Sequence, residues 1–212
     1  GVDVKACHGY LVSETLAAFT RTGSRYGGPF ENRARLLLET VRLVREEAPG
    51  LVVTSRLSAS DTVPFPYGFG MDPDAPERID LAETKALLAL LAGAGVGFLS
   101  VSLGVPYWKP HFGRPFDTPV PGGRVPEEHP LEGVARHLGV AAELQRSAPG
   151  TALVGAGYSW LRALAPNVGA AMVRAGRTAV VGLGRGALAY PDLPKDLAGR
   201  GRADPGKVCT TC

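Results

Sequence analysis

Lys5, His8 and Tyr10 fall within six residues of one another, separated only by Ala6, Cys7 and Gly9. They close a stretch whose Val2, Val4 and Ala6 are small or β-branched, as a buried strand of a parallel sheet needs. A strand does not need an ammonium, an imidazole and a phenol to fold. Together they are the side chains of proton transfer, and a lysine at a strand end is also of the type that forms Schiff bases. Any one alone reads equally well as a core histidine or a half-buried tyrosine; the set reads as a site.

The elements that must position them repeat a β-loop-α pattern. Phe30 to Glu47 carries Ala34, Leu37, Leu38, Val41 and Val44 at three- and four-residue spacing and predicts a helix. Helices are also expected over Asp80 to Ala94, Leu131 to Ser147 and Pro166 to Ala175, and strands over Leu51–Ser58, Val96–Leu103, Thr151–Val154 and Thr178–Val181. Two long loops interrupt the pattern. Ala59 to Glu77, with Pro64-Phe65-Pro66-Tyr67-Gly68-Phe69-Gly70, suits a flap over a pocket; Gly104 to His129 holds Tyr107, Trp108, His111 and Phe112. No hairpin signal occurs, so the sheet is parallel, either a (β/α)₈ barrel or an open doubly wound sheet. Both folds place function at the carboxyl ends of the strands. All five strands end polar or glycine-rich there: Lys5 and His8, Arg56, Ser100 and Ser102, Gly155 and Gly157, Gly184 and Arg185.

The last two strand ends, Gly155-x-Gly157 and Gly182-x-Gly184-Arg185, let a ligand approach backbone N–H groups ahead of a helix, a pattern that favours an anion. In (β/α)₈ barrels the phosphate site follows strands seven and eight, which would make these strands four to eight. Gly182-x-Gly184-x-x-Ala187 also fits a loose dinucleotide fingerprint, but no further strand follows to supply an acidic residue. Plain helix-turn glycines are the third reading.

With 45% apolar residues and a formal net charge of +3 spread without Lys/Arg runs, the 212-residue chain reads as globular, with no support for nucleic-acid binding. It shows neither a membrane span nor a signal-peptide layout, and its three cysteines suit a reducing compartment, so a cytoplasmic protein acting on a small molecule is expected, with its oligomeric state left open. The abrupt opening on a strand and the final Cys209-Thr-Thr-Cys212 suggest a piece of a protein that continues in both directions.

Lys5-Ala-Cys-His-Gly-Tyr-Leu11, Tyr26-Gly-Gly-Pro-Phe-Glu-Asn-Arg33, Arg56-Leu-Ser58, Gly182-Leu-Gly-Arg185 and Tyr190-Pro-Asp-Leu-Pro194 resemble, in order, the old yellow enzyme family of FMN-dependent NAD(P)H:flavin oxidoreductases and ene-reductases. The resemblance implies a TIM barrel of which residues 1–198 are the last five βα units, with 199–212 opening a C-terminal extension. It implies that Arg56 lies at the flavin N1 and O2 edge, that Gly157, Gly184 and Arg185 hold the FMN phosphate, and that NADH or NADPH is the co-substrate. Lys5 and His8 take the place of the paired donors to the carbonyl oxygen of an α,β-unsaturated acceptor, and Tyr10 that of the proton donor. Lys5 departs from the family's usual histidine. Cys209 and Cys212 could be half of a four-cysteine iron–sulfur site, but two thiolates cannot hold a cluster and the reading favours none. A non-catalytic phosphate-ligand barrel and a Schiff-base enzyme using Lys5 are the alternatives. The five units alone are expected to be inactive and not to fold cooperatively, because they leave two open sheet edges.

Overall fold

The computed structural model describes residues 1–119 and 121–211. Five parallel strands, β1 (Val2–Ala6), β2 (Val53–Ser58), β3 (Phe98–Ser102), β4 (Ala152–Gly155) and β5 (Val180–Val181), form one sheet in the order β1-β2-β3-β4-β5. A doubly wound sheet reverses its strand order at a switch point, whereas a barrel wall adds each strand beside the last. The sequential order decides for five consecutive units of a (β/α)₈ barrel.

Between the strands run α1 (Leu11–Leu16), α2 (Phe30–Glu47), α3 (Ala82–Gly93), α4 (Pro110–Gly113) and α5 (Pro130–Ser147). Then come a 3₁₀ turn at Ser159–Leu164, α6 (Ala165–Arg174), α7 (Arg185–Ala189) and α8 (Leu193–Arg200). The long helices and all five strands lie within a few residues of the expected bounds. The short helices α1, α4 and α8 lie outside the expected helices, since so few residues leave no periodic pattern. Among the described residues no helix is long and apolar enough to cross a membrane.

Side chains alternate across the sheet. Val4, Ala6, Val53, Leu57, Leu99, Val101 and Leu153 are buried in one core with Leu37 and Val41 of α2, Leu87 and Leu91 of α3, and Leu144 of α5. Asp3, Lys5 and Arg56 point the other way and are exposed. Register fixes that second face: Lys5 pairs with Arg56, Arg56 with Ser100, Ser100 with Val154 and Val154 with Val180, one rung crossing all five strands.

The loop Ala59 to Glu77 is not a flap over the cavity described below, and none of its residues lines it. Phe69 and Met71 are buried, and Met71 bridges Ile79 in antiparallel fashion. Apolar burial holds this loop against the body.

The Tyr-Gly-Gly-x-x-Glu-Asn-Arg block is built around Arg33, only 2% exposed although charged. Its guanidinium donates to the Leu16 carbonyl (2.7 Å) and the Gly28 carbonyl (2.8 Å), pairs with Glu83 of α3, and lies 3.7 Å from the Phe19 ring centroid. One side chain thus joins the end of α1, the loop before α2, and α3. Removing it strands two carbonyls and a carboxylate. In the full-length protein, Arg33→Met is expected to destabilise the fold by about 3–5 kcal/mol in urea unfolding, and Arg33→Lys to recover little because an ammonium cannot span the same fork. A loss below about 1 kcal/mol, the range of an exposed ion pair, would show that Arg33 is not a keystone.

Candidate active site

The rung Lys5–Arg56–Ser100 and the loops after β3, β4 and β5 open onto a cavity of about 840 Å³. His8, Arg56, Gly157, Gly184 and Arg185 all line it, with Ser100, Ser102, Arg114 and Trp160. Asp3 is the one carboxylate among its described lining residues, and accepts a hydrogen bond from the Thr54 hydroxyl at 2.9 Å.

His8 sits in a tight turn after β1, with φ +67° followed by Gly9 at +69°. This left-handed pair turns the chain sharply into α1 and is unusual for a histidine. The His8 amide donates to the Ser58 hydroxyl (3.3 Å), tying the turn to β2. Burial, and then the charges of Lys5, Arg56 and Arg185, hold the imidazole below its ordinary pKa, so it is neutral at pH 7. The Cys7 sulfur lies 3.4 Å from His8 Nδ1. Burial pushes the Cys7 thiol up to about 11, so it stays protonated and can donate to Nδ1 of the tautomer that carries its ring hydrogen on Nε2.

Lys5 and Tyr10 do not line the cavity; they stand beside it. The Lys5 ammonium lies 3.4 Å from the Tyr10 ring centroid, and the Tyr10 hydroxyl is 2.9 Å from that of Tyr107 on the loop after β3. Their hydrogen bond raises the Tyr107 pKa.

The glycines differ in what they do. A Cβ at Gly157, where φ is +89°, would stand 2.6 Å from the ring of His137, so packing requires this glycine. His137 is itself buried, donates from Nε2 to the Phe112 carbonyl (2.8 Å), and is pushed down to about 4 by burial. At Gly184 a Cβ would meet nothing within 4 Å, so the backbone is open to the cavity. Arg185 follows it at the start of α7.

Cys209 and Thr211 also line the cavity, while Cys212 lies outside the described residues. Among the described residues no three His, Cys, Asp or Glu side chains cluster as metal ligands would.

Tyr107 and Asp61 were missed as functional residues. Tyr107 could be noticed only as one aromatic in a long loop, and Asp61 in Ser58-Ala-Ser-Asp-Thr62 carries no signal. Asp61 nonetheless supports the site. Its carboxylate accepts from the Ser13 hydroxyl (3.4 Å) and the Phe69 amide (3.1 Å), and Ser13 Oγ in turn accepts from Gly9 N–H at 3.3 Å. The acid therefore reaches the turn that carries His8.

Known proteins resemble this chain in sequence and in fold. Residues 1–79 match the model of the NADH:flavin oxidoreductase / NADH oxidase family. A Gibberella zeae protein named NADH:flavin oxidoreductase FG08077 is 34% identical over 105 residues, which are 49% of this chain and 25% of that relative. The NADH oxidase of Thermoanaerobacter brockii is 26% identical along 100% of this chain and 28% of its own length. Over residues 1–79 the chain is thus similar to the NADH:flavin oxidoreductase / NADH oxidase family, and its parallel barrel-wall fold is that of an old yellow enzyme. It spans about a quarter of the length of those curated relatives. The solved old yellow enzyme homologue from Zymomonas mobilis shares the fold, with a TM-score of 0.57 and 19% identity over 94% of this chain and 46% of that one.

Burial pushes the Asp61 carboxyl from 3.8 up to about 7. A raised folded-state pKa means that the folded protein keeps a proton which the unfolded chain releases. Its stabilising share is complete below about pH 4 and is lost as pH rises through 7. The melting temperature of the wild-type protein relative to Asp61→Asn is therefore expected to fall between pH 4 and 7. A difference that calorimetry finds constant over that range would refute the assignment.

Proposed function

We propose that this chain is the flavin-binding side of an FMN-dependent NAD(P)H oxidoreductase that reduces an activated C=C bond. The observation that carries it is the convergence on one cavity of Arg56, His8, the open backbone at Gly184 and Arg185. The similarity to flavin oxidoreductases supplies the flavin and the nicotinamide donor as expectations. We also propose, from the same resemblance, that residues 1–198 form strands four to eight of the barrel, that 199–212 begin an extension, and that the five units alone do not turn over.

The residues present fit FMN. Gly184 leaves room for a phosphate against the backbone, and Arg185 beside it supplies the charge and donors to bind one. Arg56, at mid-wall, would face the N1 and O2 edge, where a fixed positive charge favours the anionic reduced ring. When bound, FMN would supply a hydride to the β-carbon of the acceptor. The remaining chemistry belongs to the chain. His8, neutral and with its hydrogen on Nε2, donates to the acceptor's carbonyl oxygen as charge develops there, and Lys5 stands at the rim of the same site. Tyr10 gives its phenolic proton to the α-carbon, and the hydrogen bond to Tyr107 fixes the hydroxyl's direction.

The full-length protein is expected to purify yellow, to bleach on adding NADH or NADPH anaerobically, and to regain colour with an enone. A protein that takes up no FMN would sink the reading. Tyr10→Phe is expected to slow acceptor reduction by about 10²-fold or more while flavin reduction by NAD(P)H continues. Unchanged acceptor turnover in Tyr10→Phe would remove the tyrosine from the mechanism. FMN uptake with no turnover of any acceptor would favour a non-catalytic binding barrel.

A further inference from the structure

We infer that Lys5 is a binding site for a carboxylate, so that the favoured acceptor is an α,β-unsaturated carbonyl compound that also carries an ionised carboxyl group. This deepens the proposed function and rests on it. The argument starts from unbalanced charge. On the concave face and its rim stand Lys5, Arg56 and Arg185, and among the described residues none has a carboxylate within ion-pair distance. The nearby acid, Asp3, is held by the Thr54 hydroxyl. Elsewhere the chain pairs its cations readily, even at exposed positions such as Arg42–Glu46 and Lys85–Glu143. Positive charge concentrated without partners calls for an anionic ligand.

The three cations do not serve the same place. Arg185 beside Gly184 and Arg56 at mid-wall both line the cavity and are accounted for by a phosphate and a flavin edge. Lys5 is one strand further over, beside the cavity on the side of Tyr10 and Tyr107, and nothing in the proposed flavin needs its charge. Its ammonium rests on the Tyr10 ring face. That contact holds the group in place without neutralising it, because a ring quadrupole carries no net charge. A positioned ammonium with free donors suits a monoanion. A phosphate dianion would call for a fork of several donors, which the Arg185 end has and this corner lacks.

The surroundings say what the anion is attached to. Tyr10, Tyr107 and Trp108 are exposed aromatic side chains around Lys5 or on the facing loop, a setting for a flat, conjugated molecule. The carboxylate would take no part in bond making. Hydride goes to the β-carbon and a proton to the α-carbon as before, and the carboxylate leaves unchanged. Its charge serves to orient the acceptor, with the carbonyl toward His8 and the α-carbon toward Tyr10.

The test uses 4-oxopent-2-enoate and its methyl ester, which differ by one charge, on the full-length, FMN-loaded protein. Wild type is expected to favour the acid in kcat/KM by about tenfold or more, a ratio that shrinks with added salt. In Lys5→Met the acid-to-ester ratio should collapse toward one, whatever happens to the absolute rates, and Lys5→Arg should keep most of it. The reductive half-reaction with NADH and with NADPH should not share this dependence; if the Lys5→Met effect instead tracks the extra phosphate of NADPH, the anion is the nucleotide's and the inference fails. Calorimetric binding of the acid is measured in parallel without turnover. Lys5-dependent binding of the acid with neither compound reduced would overturn the ene-reductase reading and keep the anion site. Reduction of both compounds at a ratio indifferent to Lys5, or no Lys5-dependent binding at all, would overturn the inference.

Discussion

The site depends on strand register. Side chains alternate with a period of two, so the pairing of Lys5 with Arg56 and of Arg56 with Ser100 decides that Arg56 and Ser100 face the cavity and Lys5 stands beside it, while Val4, Leu57 and Leu99 face the helices. A slip of one residue in β2 would bury a guanidinium among leucines and turn Leu57 toward the cavity. Burial of the apolar face therefore enforces the chemical face. The core of Leu37, Leu87, Leu91 and Leu144 is remote from any reacting atom, yet it positions Arg56.

A second layer of control lies behind the turn at His8. The left-handed backbone at His8 and Gly9 is held by Ser58 from one side and Ser13 from the other, and Ser13 is held by Asp61. The imidazole is kept neutral by burial and by the cations around it, beside a thiol that burial keeps protonated. Electrostatics and packing thus act on the same ring in the same sense. They favour a neutral imidazole over an imidazolium.

Much of this was legible in the sequence because it rests on periodic patterns. Helices α2, α3 and α5 and the strands before and after them announce themselves by spacing, and the polar strand ends marked one rim. What was not legible has physical reasons. The four- and six-residue helices α4 and α1 are too short to show a period. Asp61 and Tyr107 act through contacts made across loops, at separations of 48 and 97 residues from Ser13 and Tyr10. The loop around Phe65 to Phe69, rich in aromatic residues, reads as a flap by composition but carries buried side chains that pack it against the body. Gly157 reads as a phosphate glycine, and in the fold its missing side chain also makes room for His137. Lys5 was visible as a departure, but its seat on the Tyr10 ring was not.

Arg33 carries one consequence beyond stability. The stretch of this chain most easily recognised, from Tyr26 to Arg33, wraps a guanidinium that touches no cavity and faces no ligand. The block that most resembles the flavin oxidoreductases is thus built for packing, while Lys5, the departure from that resemblance, stands on the exposed face beside the cavity. A protein could keep every contact of Arg33 and still change the charge beside its cavity, since Arg33 bonds to Leu16, Gly28 and Glu83 and not to Lys5.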